Sequence, residues 1–256
     1  MGLYAGQALR LNRAGYKPDN KSKNHRTVLQ ALLEPDYNTA NQGQGMENIA
    51  RLVNFPFSKT EEILVKTALL HNKVLAFPTE TFYGLGGNAF FKEVADSVYN
   101  IKERPRNKPL LVLTTPEWLP GLCLWNDSRI DDLMNAFWPG PLTLILAANP
   151  ELPQHLQNSD GTLAVRYTSA PAAQCLIELG SCPIIGTSAN LTGMPECSSA
   201  TEVHNQLNNK VDVIIDGGEL EENRASTILN CQSKNFDVLR HGVITSAEIN
   251  RICDVL

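Results

Sequence analysis

Apolar positions along this chain fall into two alternating patterns from about residue 58 onward. Short apolar runs, which are typical of buried strands, alternate with longer segments in which apolar residues recur at helical spacing. The runs predict strands at 74–77, 110–113, 142–146, 163–167, 211–215, 226–229 and 236–239, with another at the start of 183–190. The helical segments begin near residues 58, 91, 127, 169, 199 and 245. Helices and strands that alternate over one unit predict an α/β fold.

Polar residues mark the ends of the predicted helices. Capping boxes, in which a serine or threonine precedes a glutamate by three positions, are predicted at Ser58–Glu61, Ser199–Glu202 and Thr245–Glu248. The helix that begins near Pro171 is predicted to end at Gly180. The last helix is predicted to direct three apolar side chains inward, those of Ile249, Ile252 and Leu256.

Residues 1–45 differ from the rest of the chain. They are rich in Asn, Gln, Lys and Arg and have no sustained apolar period, so we expect a disordered N-terminal extension before one domain at 46–256. They hold six of the 22 Lys/Arg and three of the 27 Asp/Glu residues, which leaves 16 basic and 24 acidic residues, a net charge of −8, for 46–256. No secretory h-region is present.

We expect a cytoplasmic protein, with organellar targeting by residues 1–45 as the alternative. The six cysteines are scattered without a Cys-x-x-Cys pair, which argues against a zinc site and against a disulfide framework. No apolar run approaches the length of a membrane span, so we expect no membrane partner.

Four cations follow the predicted 91–101 helix within seven positions, namely Lys102, Arg104, Arg106 and Lys108. Arg104 precedes a proline, which favours an extended backbone, and residues two apart in an extended chain point the same way. Lys102 and Arg104 are therefore predicted to direct two cations at one spot, where a polyphosphate would relieve their repulsion. On this interpretation Lys102 faces a ligand, and Lys102→Ala should remove activity while leaving the fold intact. The alternative is a solvated basic turn.

A second apolar run ends in small polar residues at 183–190. Ser188 and Asn190 share the two-residue spacing and are predicted to face the same ligand. The alternative is a pair of residues that cap a helix and form a turn. A similar polar loop, with Thr79, Glu80 and Tyr83, follows the strand at 74–77.

Six motifs occur in a characteristic order. They are Pro-Thr-Glu-Thr-x-Tyr-Gly-Leu at 78–85, Lys-x-Arg-Pro at 102–105, Trp-Pro-Gly-Pro-Leu-Thr at 138–143, Ala-Val-Arg at 164–166, Ser-Ala-Asn at 188–190 and Asp-Gly-Gly at 216–218. Over about residues 58–245 the chain thus resembles the YrdC/TsaC family, the threonylcarbamoyl-AMP synthases. The resemblance implies a YrdC-like twisted mixed β-sheet flanked by helices, with a deep concave ligand-binding face. It also implies the short form, without the extra C-terminal domain of longer relatives.

The resemblance further implies a nucleotidyltransferase. It would form L-threonylcarbamoyladenylate and pyrophosphate from L-threonine, bicarbonate or CO2, and ATP, for the threonylcarbamoyladenosine (t6A) modification of tRNA. The substrate supplies its own nucleophile, so no Ser-His-Asp or Cys-His arrangement is required. Mg²⁺ is expected to accompany ATP, and we assign it no protein ligand. The product is expected to reach tRNA directly or through a downstream threonylcarbamoyl transferase complex.

Site residues carried over from the family occupy several motifs. The resemblance implies catalytic roles for Lys102, Arg104, Ser188 and Asn190. The implied ATP- and threonine-binding positions are Thr79, Lys102, Arg104, Lys108, Thr162, Arg166, Ser188, Asn190 and Arg240. Two of these positions depart from the family pattern, because Arg240 is followed by His241 rather than proline and Lys108 replaces a frequent asparagine. For Arg166 the alternative is a strand-edge salt bridge.

Two other functional classes remain open. One is a module that binds double-stranded RNA or tRNA, although a net charge of −8 for 46–256 weighs against strong non-specific RNA binding. The other is a carbamoyl-transfer domain of the hydrogenase-maturation type. Proteins of that type carry acylphosphatase and Cys-rich zinc segments, which this sequence does not show.

Overall fold

A computed structural model describes residues 50–221 and 224–253. The extension predicted at 1–45 and the inward side chain predicted for Leu256 lie outside the described residues. Both therefore stay predictions.

Twelve strands occur in the described ranges. They are β1 (Arg51–Asn54), β2 (Leu75–Phe77), β3 (Gly84–Gly86), β4 (Leu111–Leu113), β5 (Cys123–Leu124), β6 (Leu142–Ala148), β7 (Thr162–Arg166), β8 (Ile184–Ile185), β9 (Thr187–Ser188), β10 (Val213–Asp216), β11 (Thr227–Asn230) and β12 (Asp237–Arg240). Each strand predicted from an apolar run is present, whereas β1, β3, β5 and β9 were not predicted.

Helices lie between these strands. They are α1 (Lys59–Leu70), α2 (Lys92–Ile101), α3 (Leu119–Leu122), α4 (Ser128–Phe137), α5 (Pro171–Gly180), α6 (Ala200–Leu207) and α7 (Ser246–Ile249), with 3₁₀ turns at Gln154–Leu156 and Asn208–Lys210. Within the described part of the chain, no helix combines the length and the hydropathy that spanning a bilayer requires.

The strands form two mixed sheets. One has five strands in the order β1-β10-β2-β3-β9. The other has seven, in the order β12-β11-β6-β7-β4-β8, with β5 paired to β6. Parallel pairs such as β1–β10 and antiparallel pairs such as β6–β7 occur together. The predicted α/β class, with twisted mixed sheets flanked by helices, is confirmed, although the strands are divided between two sheets rather than one.

The segment at 183–190 passes from one sheet to the other. β8 pairs antiparallel with β4 in the larger sheet, whereas β9 pairs with β3 in the smaller one. Gly186 lies between them and packs on Leu113 so closely that a Cβ at this position would lie 2.6 Å from Leu113 Cγ. The single strand predicted here is therefore two strands, and both sheets fix the residues that follow.

Two of the three predicted capping boxes are confirmed. Ser58 caps α1 and Thr245 caps α7, each with the glutamate three positions later closing the box. At the start of α6, Ser199 Oγ accepts from the backbone N–H of Glu202 at 3.2 Å. The Glu202 carboxylate, however, accepts from the backbone N–H of Ser198 at 2.7 Å, so the reciprocal half of that box is replaced by a neighbouring contact.

The predicted end of α5 at Gly180 is confirmed, and the next residue, Ser181, takes the left-handed conformation with φ of 47°. The prediction for the last helix is wrong in part. Helix α7 makes only one turn, so Ile249 is buried but Ile252 is 38% exposed. A single turn carries too few residues to keep a long apolar stripe on one face.

Tyr83 connects the loop after β2 to two other segments. Its side chain is 0% exposed, and its hydroxyl donates to the Gly218 carbonyl (2.8 Å) and accepts from the Gly217 N–H (3.1 Å). Its backbone N–H donates to the Cys197 carbonyl (2.8 Å), and its carbonyl accepts from the Ala189 N–H (2.7 Å). The loop after β2, the segment after β9 and the glycine turn after β10 thus form one connected unit.

Removing this hydroxyl tests the connection. We predict that Tyr83→Phe lowers the free energy of unfolding by about 1–3 kcal/mol, because two hydrogen bonds are lost at a buried side chain. Urea denaturation followed by circular dichroism measures the change. Tyr99→Phe is the matched control, since the Tyr99 hydroxyl makes one bond, to the carbonyl of exposed Lys108 (3.0 Å). Equal losses in the two variants would contradict the role of Tyr83.

Candidate active site

Lys102 joins the two segments that the sequence singled out. It follows the last residue of α2 and is 2% exposed. Its Nζ donates to the Asn190 carbonyl (2.7 Å), to Asn190 Oδ1 (3.0 Å) and to the carbonyl of Ser188. The Lys102 carbonyl in turn accepts from the Thr192 N–H (3.1 Å). The two segments therefore converge, and they do so through direct contact.

The backbone around Lys102 is not extended, so the geometric reason given for this convergence is wrong. Lys102 has helical dihedrals of φ −79° and ψ −8°, and Glu103 turns the chain with φ of 51°. An ammonium group has three donors, and all three of Lys102 have protein acceptors. The side chain thus acts on an anion through its charge and by holding the 188–190 segment. Because it is buried, the premise that it faces a ligand freely is also wrong.

The other three cations of the cluster take different positions. Half-buried Arg104 donates from Nη2 to the Pro109 carbonyl (3.0 Å) and from Nε to the Lys108 carbonyl (3.4 Å). Arg106 forms an ion pair with Asp96 of α2. Lys108 is exposed. The alternative of a solvated basic turn therefore holds for Arg106 and Lys108. Arg104, in contrast, lies close enough for its charge to act on Lys102.

Ser188 and Asn190 contact each other. The Ser188 hydroxyl donates to Asn190 Oδ1 at 2.7 Å. The Asn190 amide nitrogen donates to the carbonyls of Leu191 (3.1 Å) and Met194 (2.6 Å), and the residue is 7% exposed. Asn190 therefore organises the turn that follows β9, as the turn alternative anticipated, and also orients Ser188 and Lys102.

Arg166 is a buried cation at the end of β7, with 3% exposure. β7 lies between β6 and β4 and is therefore not an edge strand. The alternative of a salt bridge at a strand edge is wrong in its location. Arg166 Nε lies 3.6 Å from Glu80 Oε1, and neither of these buried atoms has a hydrogen-bond partner. Among the described residues, no atom accepts a hydrogen bond from the Arg166 guanidinium. Burial lowers the pKa of Arg166, and the Glu80 carboxylate opposes that shift.

Arg240 ends β12 and rests on β11. Its Nε donates to the Ser226 carbonyl (3.0 Å) and its Nη2 to Ser226 Oγ (2.9 Å). Ser226 Oγ is held by Thr143 Oγ1 at 2.9 Å. Gly242 packs on the backbone of 225–227, and its N–H donates to Thr227 Oγ1 at 3.1 Å. The loop after Arg240 is therefore anchored although His241 replaces the proline of the family.

These cations share one electrostatic environment. Burial first, and then the charge of Arg104, lower the pKa of Lys102 to about 8. Partial removal of its guanidinium from water lowers the pKa of Arg240, although the residue as a whole is exposed, and the charges of Arg166 and Arg104 lower this pKa further. Glu196 opposes the shift at both Lys102 and Arg240. A group of mutually repelling cations with so few carboxylates favours a polyanionic ligand.

Thr79 and Thr162 occupy different surroundings. Thr79 is 3% exposed in the loop before Tyr83, and its hydroxyl donates to the Phe82 carbonyl at 2.6 Å. Thr162 begins β7, about 13 Å along the strand from Arg166 at its other end. Its hydroxyl donates to Asp160 (2.6 Å) and accepts from Asn158 (2.9 Å). The structure thus does not bring Thr162 together with Arg166, and its predicted role stays a prediction.

Sequence analysis assigned no role to the residues that support these side chains. Glu80 contacts Arg166 and Thr168, Ser226 and Thr143 hold Arg240, and Glu196 modulates the pKa of Lys102. The two-residue spacing of Arg166 and Thr168 was a usable signal, because it places both on one face of an extended chain. No sequence signal pairs Ser226 with Arg240, which lies 14 positions away.

A protein-built metal site does not emerge from the described residues. No group of three or more His, Cys, Asp or Glu side chains there is arranged to hold a metal ion. The donor set around Lys102 and Arg166 is cationic and does not fit a divalent cation either. We therefore assign no metal-dependent step to these residues.

Comparison with known proteins identifies the family. The profile of the Sua5/YciO/YrdC family, described as "Telomere recombination", matches residues 67–242. The chain is 37% identical over 194 residues to the threonylcarbamoyl-AMP synthase of Bacillus subtilis. The aligned region covers 75% of this chain and 56% of that protein. The structure of Pyrococcus abyssi Sua5 complexed with L-threonine aligns with a TM-score of 0.75 at 32% identity, over 80% of this chain and 61% of that one.

A third likeness concerns the fold alone. Escherichia coli YciO aligns with a TM-score of 0.68 at 24% identity, over 78% of this chain and 98% of that one. The chain spans about half the length of the first curated relatives that it matches, between 53% and 56%. With a profile match over 67–242 and relatives above 30% identity, this chain belongs to the Sua5/YciO/YrdC family.

Proposed function

We propose that this chain is a threonylcarbamoyl-AMP synthase, a nucleotidyltransferase that makes L-threonylcarbamoyladenylate and pyrophosphate. The observation that carries the proposal is the contact of Lys102 with Ser188 and Asn190 beside the further cations Arg104, Arg166 and Arg240. Curated relatives with more than 35% identity carry this enzyme name, and a related structure is described as complexed with L-threonine. The substrates would be ATP, L-threonine and bicarbonate or CO2.

The residues support this chemistry by electrostatics and positioning. The threonine amine and CO2 form a carbamate and release a proton. A carbamate oxygen then bonds to the α-phosphorus of ATP, and the bond to the bridging oxygen breaks to release pyrophosphate. Lys102, Arg104 and Arg240 supply positive charge where pyrophosphate charge develops. The guanidinium of Arg166, which faces Glu80 at Nε but donates no hydrogen bond within the described residues, is suited to the threonine carboxylate, since arginine binds carboxylates through two N–H groups.

Several parts of the assignment go beyond these residues. Mg²⁺ would enter with the ATP phosphates, because the described residues offer it no cluster of ligands. The product would serve t6A formation on tRNA, reached directly or through a downstream transferase. A cytoplasmic location, the 46–256 domain boundary, a deep concave ligand face and the substrate contacts of Thr79, Thr162 and Lys108 belong to the same proposal.

The proposed activity has a direct test. We predict that the purified protein releases pyrophosphate from ATP only when threonine and bicarbonate are both present. A coupled pyrophosphatase assay with each component omitted in turn measures this dependence. Serine in place of threonine serves as the substrate control. Pyrophosphate release that does not depend on threonine, or ATP binding without any release, would contradict the proposal.

Burial changes what is expected of Lys102 variants. We predict that Lys102→Met lowers turnover by at least about a hundredfold, because a charge at the pyrophosphate is lost. The same variant should lose about 1–3 kcal/mol of stability, because the acceptors of three hydrogen bonds lose their donor. Lys66→Ala, at an exposed position of α1, is the stability control. A Lys102→Met protein as stable as the wild type would contradict a stabilising role for the hydrogen bonds between Lys102 and the 188–190 segment.

The lowered pKa of Lys102 predicts a pH dependence of binding. A bound polyphosphate favours the charged ammonium, so it should raise the Lys102 pKa above its free value of about 8. At pH 8.5 nucleotide binding should therefore take up protons, and affinity should fall as pH rises through this range. Calorimetry in two buffers of different ionisation enthalpy measures the uptake, and Lys102→Met should abolish it. Equal uptake in both proteins would assign the effect to another group.

A further inference from the structure

We propose that Glu80 is a positioning residue, which holds the Arg166 guanidinium so that its terminal amino groups receive the carboxylate of the amino-acid substrate. The inference rests on the proposed function, in which Arg166 binds threonine. Neither Glu80 nor its anchor Thr168 was among the predicted site residues. Their contacts, rather than any motif, point to this role.

Glu80 is fixed from one side. Its Oε2 accepts a hydrogen bond from the hydroxyl of Thr168, a residue with 0% exposure. That hydroxyl also accepts from the Ala170 N–H (3.2 Å), and the Thr168 carbonyl accepts from Gln174 Nε2 (2.8 Å). Ala170 is the residue just before α5, and Gln174 lies in the first turn of that helix. The start of α5 therefore fixes Thr168, whose hydroxyl in turn donates to the Glu80 carboxylate.

The other oxygen of Glu80 faces Arg166. Oε1 lies 3.6 Å from Nε, and both atoms are buried without a hydrogen-bond partner. Because Arg166 and Thr168 are two residues apart, their side chains reach the same carboxylate from one chain segment. The carboxylate thus occupies the Nε edge of the guanidinium. The two terminal amino groups remain for a ligand carboxylate, which arginine binds in a paired geometry.

Charge explains why such a partner matters here. Arg166 is 3% exposed and lies within electrostatic reach of Arg240. Among the described residues, Glu80 is the one carboxylate in contact with it. Removing the charge of one partner of a buried ion pair leaves the other uncompensated. Without Glu80, Arg166 would be free to turn away from its cationic neighbours and from the substrate position.

Threonine binding to Glu80→Gln tests the proposal. Glutamine keeps the shape and an oxygen for Thr168 but removes the charge beside Nε. We expect the Kd for threonine, measured by calorimetry on the full chain, to rise about tenfold, within the usual range of coupling between contacting residues. The Kd for pyrophosphate should stay within about twofold, because the other cations are unchanged. Unchanged threonine binding would overturn the proposal.

A double-mutant cycle separates positioning from a merely structural effect. If Glu80 acts through Arg166, then Glu80→Gln should weaken threonine binding no further in an Arg166→Ala background. Additive losses would overturn the proposal, since they would mean that Glu80 acts independently of Arg166. Glu61→Gln is the matched control, because Glu61 also accepts from a hydroxyl, that of Ser58 (2.7 Å), at the start of another helix. It should leave the Kd for threonine unchanged.

A second variant and a wild-type measurement cover the cases in which Glu80→Gln does not fold or the proposed function fails. If Glu80→Gln does not fold, Thr168→Val removes only the anchor, and a threonine Kd within about twofold of the wild type would then overturn the proposal. Failure of the proposed function has a different signature, namely wild-type protein that binds threonine but releases no threonine-dependent pyrophosphate. Wild-type protein that does not bind threonine would overturn both.

Discussion

The burial of one ammonium group is the constraint on which the arrangement of this site depends. Moving a lysine charge out of water is costly unless oxygen atoms surround it. Lys102 meets this requirement with the carbonyls of Ser188 and Asn190 and with the Asn190 amide oxygen. The end of α2 and the segment after β9 must therefore lie together. A chain that failed to join them would leave an unpaired charge in its interior.

The same burial gives the site its electrostatic character. The charge of Arg104 acts on both Lys102 and Arg240, and that of Arg166 acts on Arg240. In the described residues, the carboxylates that oppose these effects are those of Glu80 and Glu196. Each hydrogen bond that a cation makes to a neutral carbonyl orients it without cancelling its charge. Excess positive charge therefore persists in a protein region whose total charge is negative. A polyphosphate and a carboxylate are the ligands that this excess favours.

Sequence alone could predict which elements form but not how they meet. Apolar periodicity located each predicted strand and helix because those patterns are local. The backbone at Lys102 was predicted wrongly because Pro105 favours an extended Arg104, whereas Lys102 is helical and Glu103 is left-handed. The crossing between sheets at Gly186 was missed for a similar reason, since it depends on contact with Leu113, 73 positions earlier.

The same difference between local patterns and long-range contacts applies to the site residues. The family resemblance identified Arg166 and Arg240, but it did not identify the hydroxyl groups that orient them. Thr168 acts on Arg166 through Glu80. Ser226, which contacts Thr143, acts directly on Arg240. An exposed cation can be oriented by neutral groups, which leave its charge intact, whereas a buried cation needs a partner that offsets its removal from water. Neutral hydroxyls and carbonyls do this at Arg240, whereas buried Arg166 has a carboxylate. The difference in burial between the two arginines accounts for the difference in their supports.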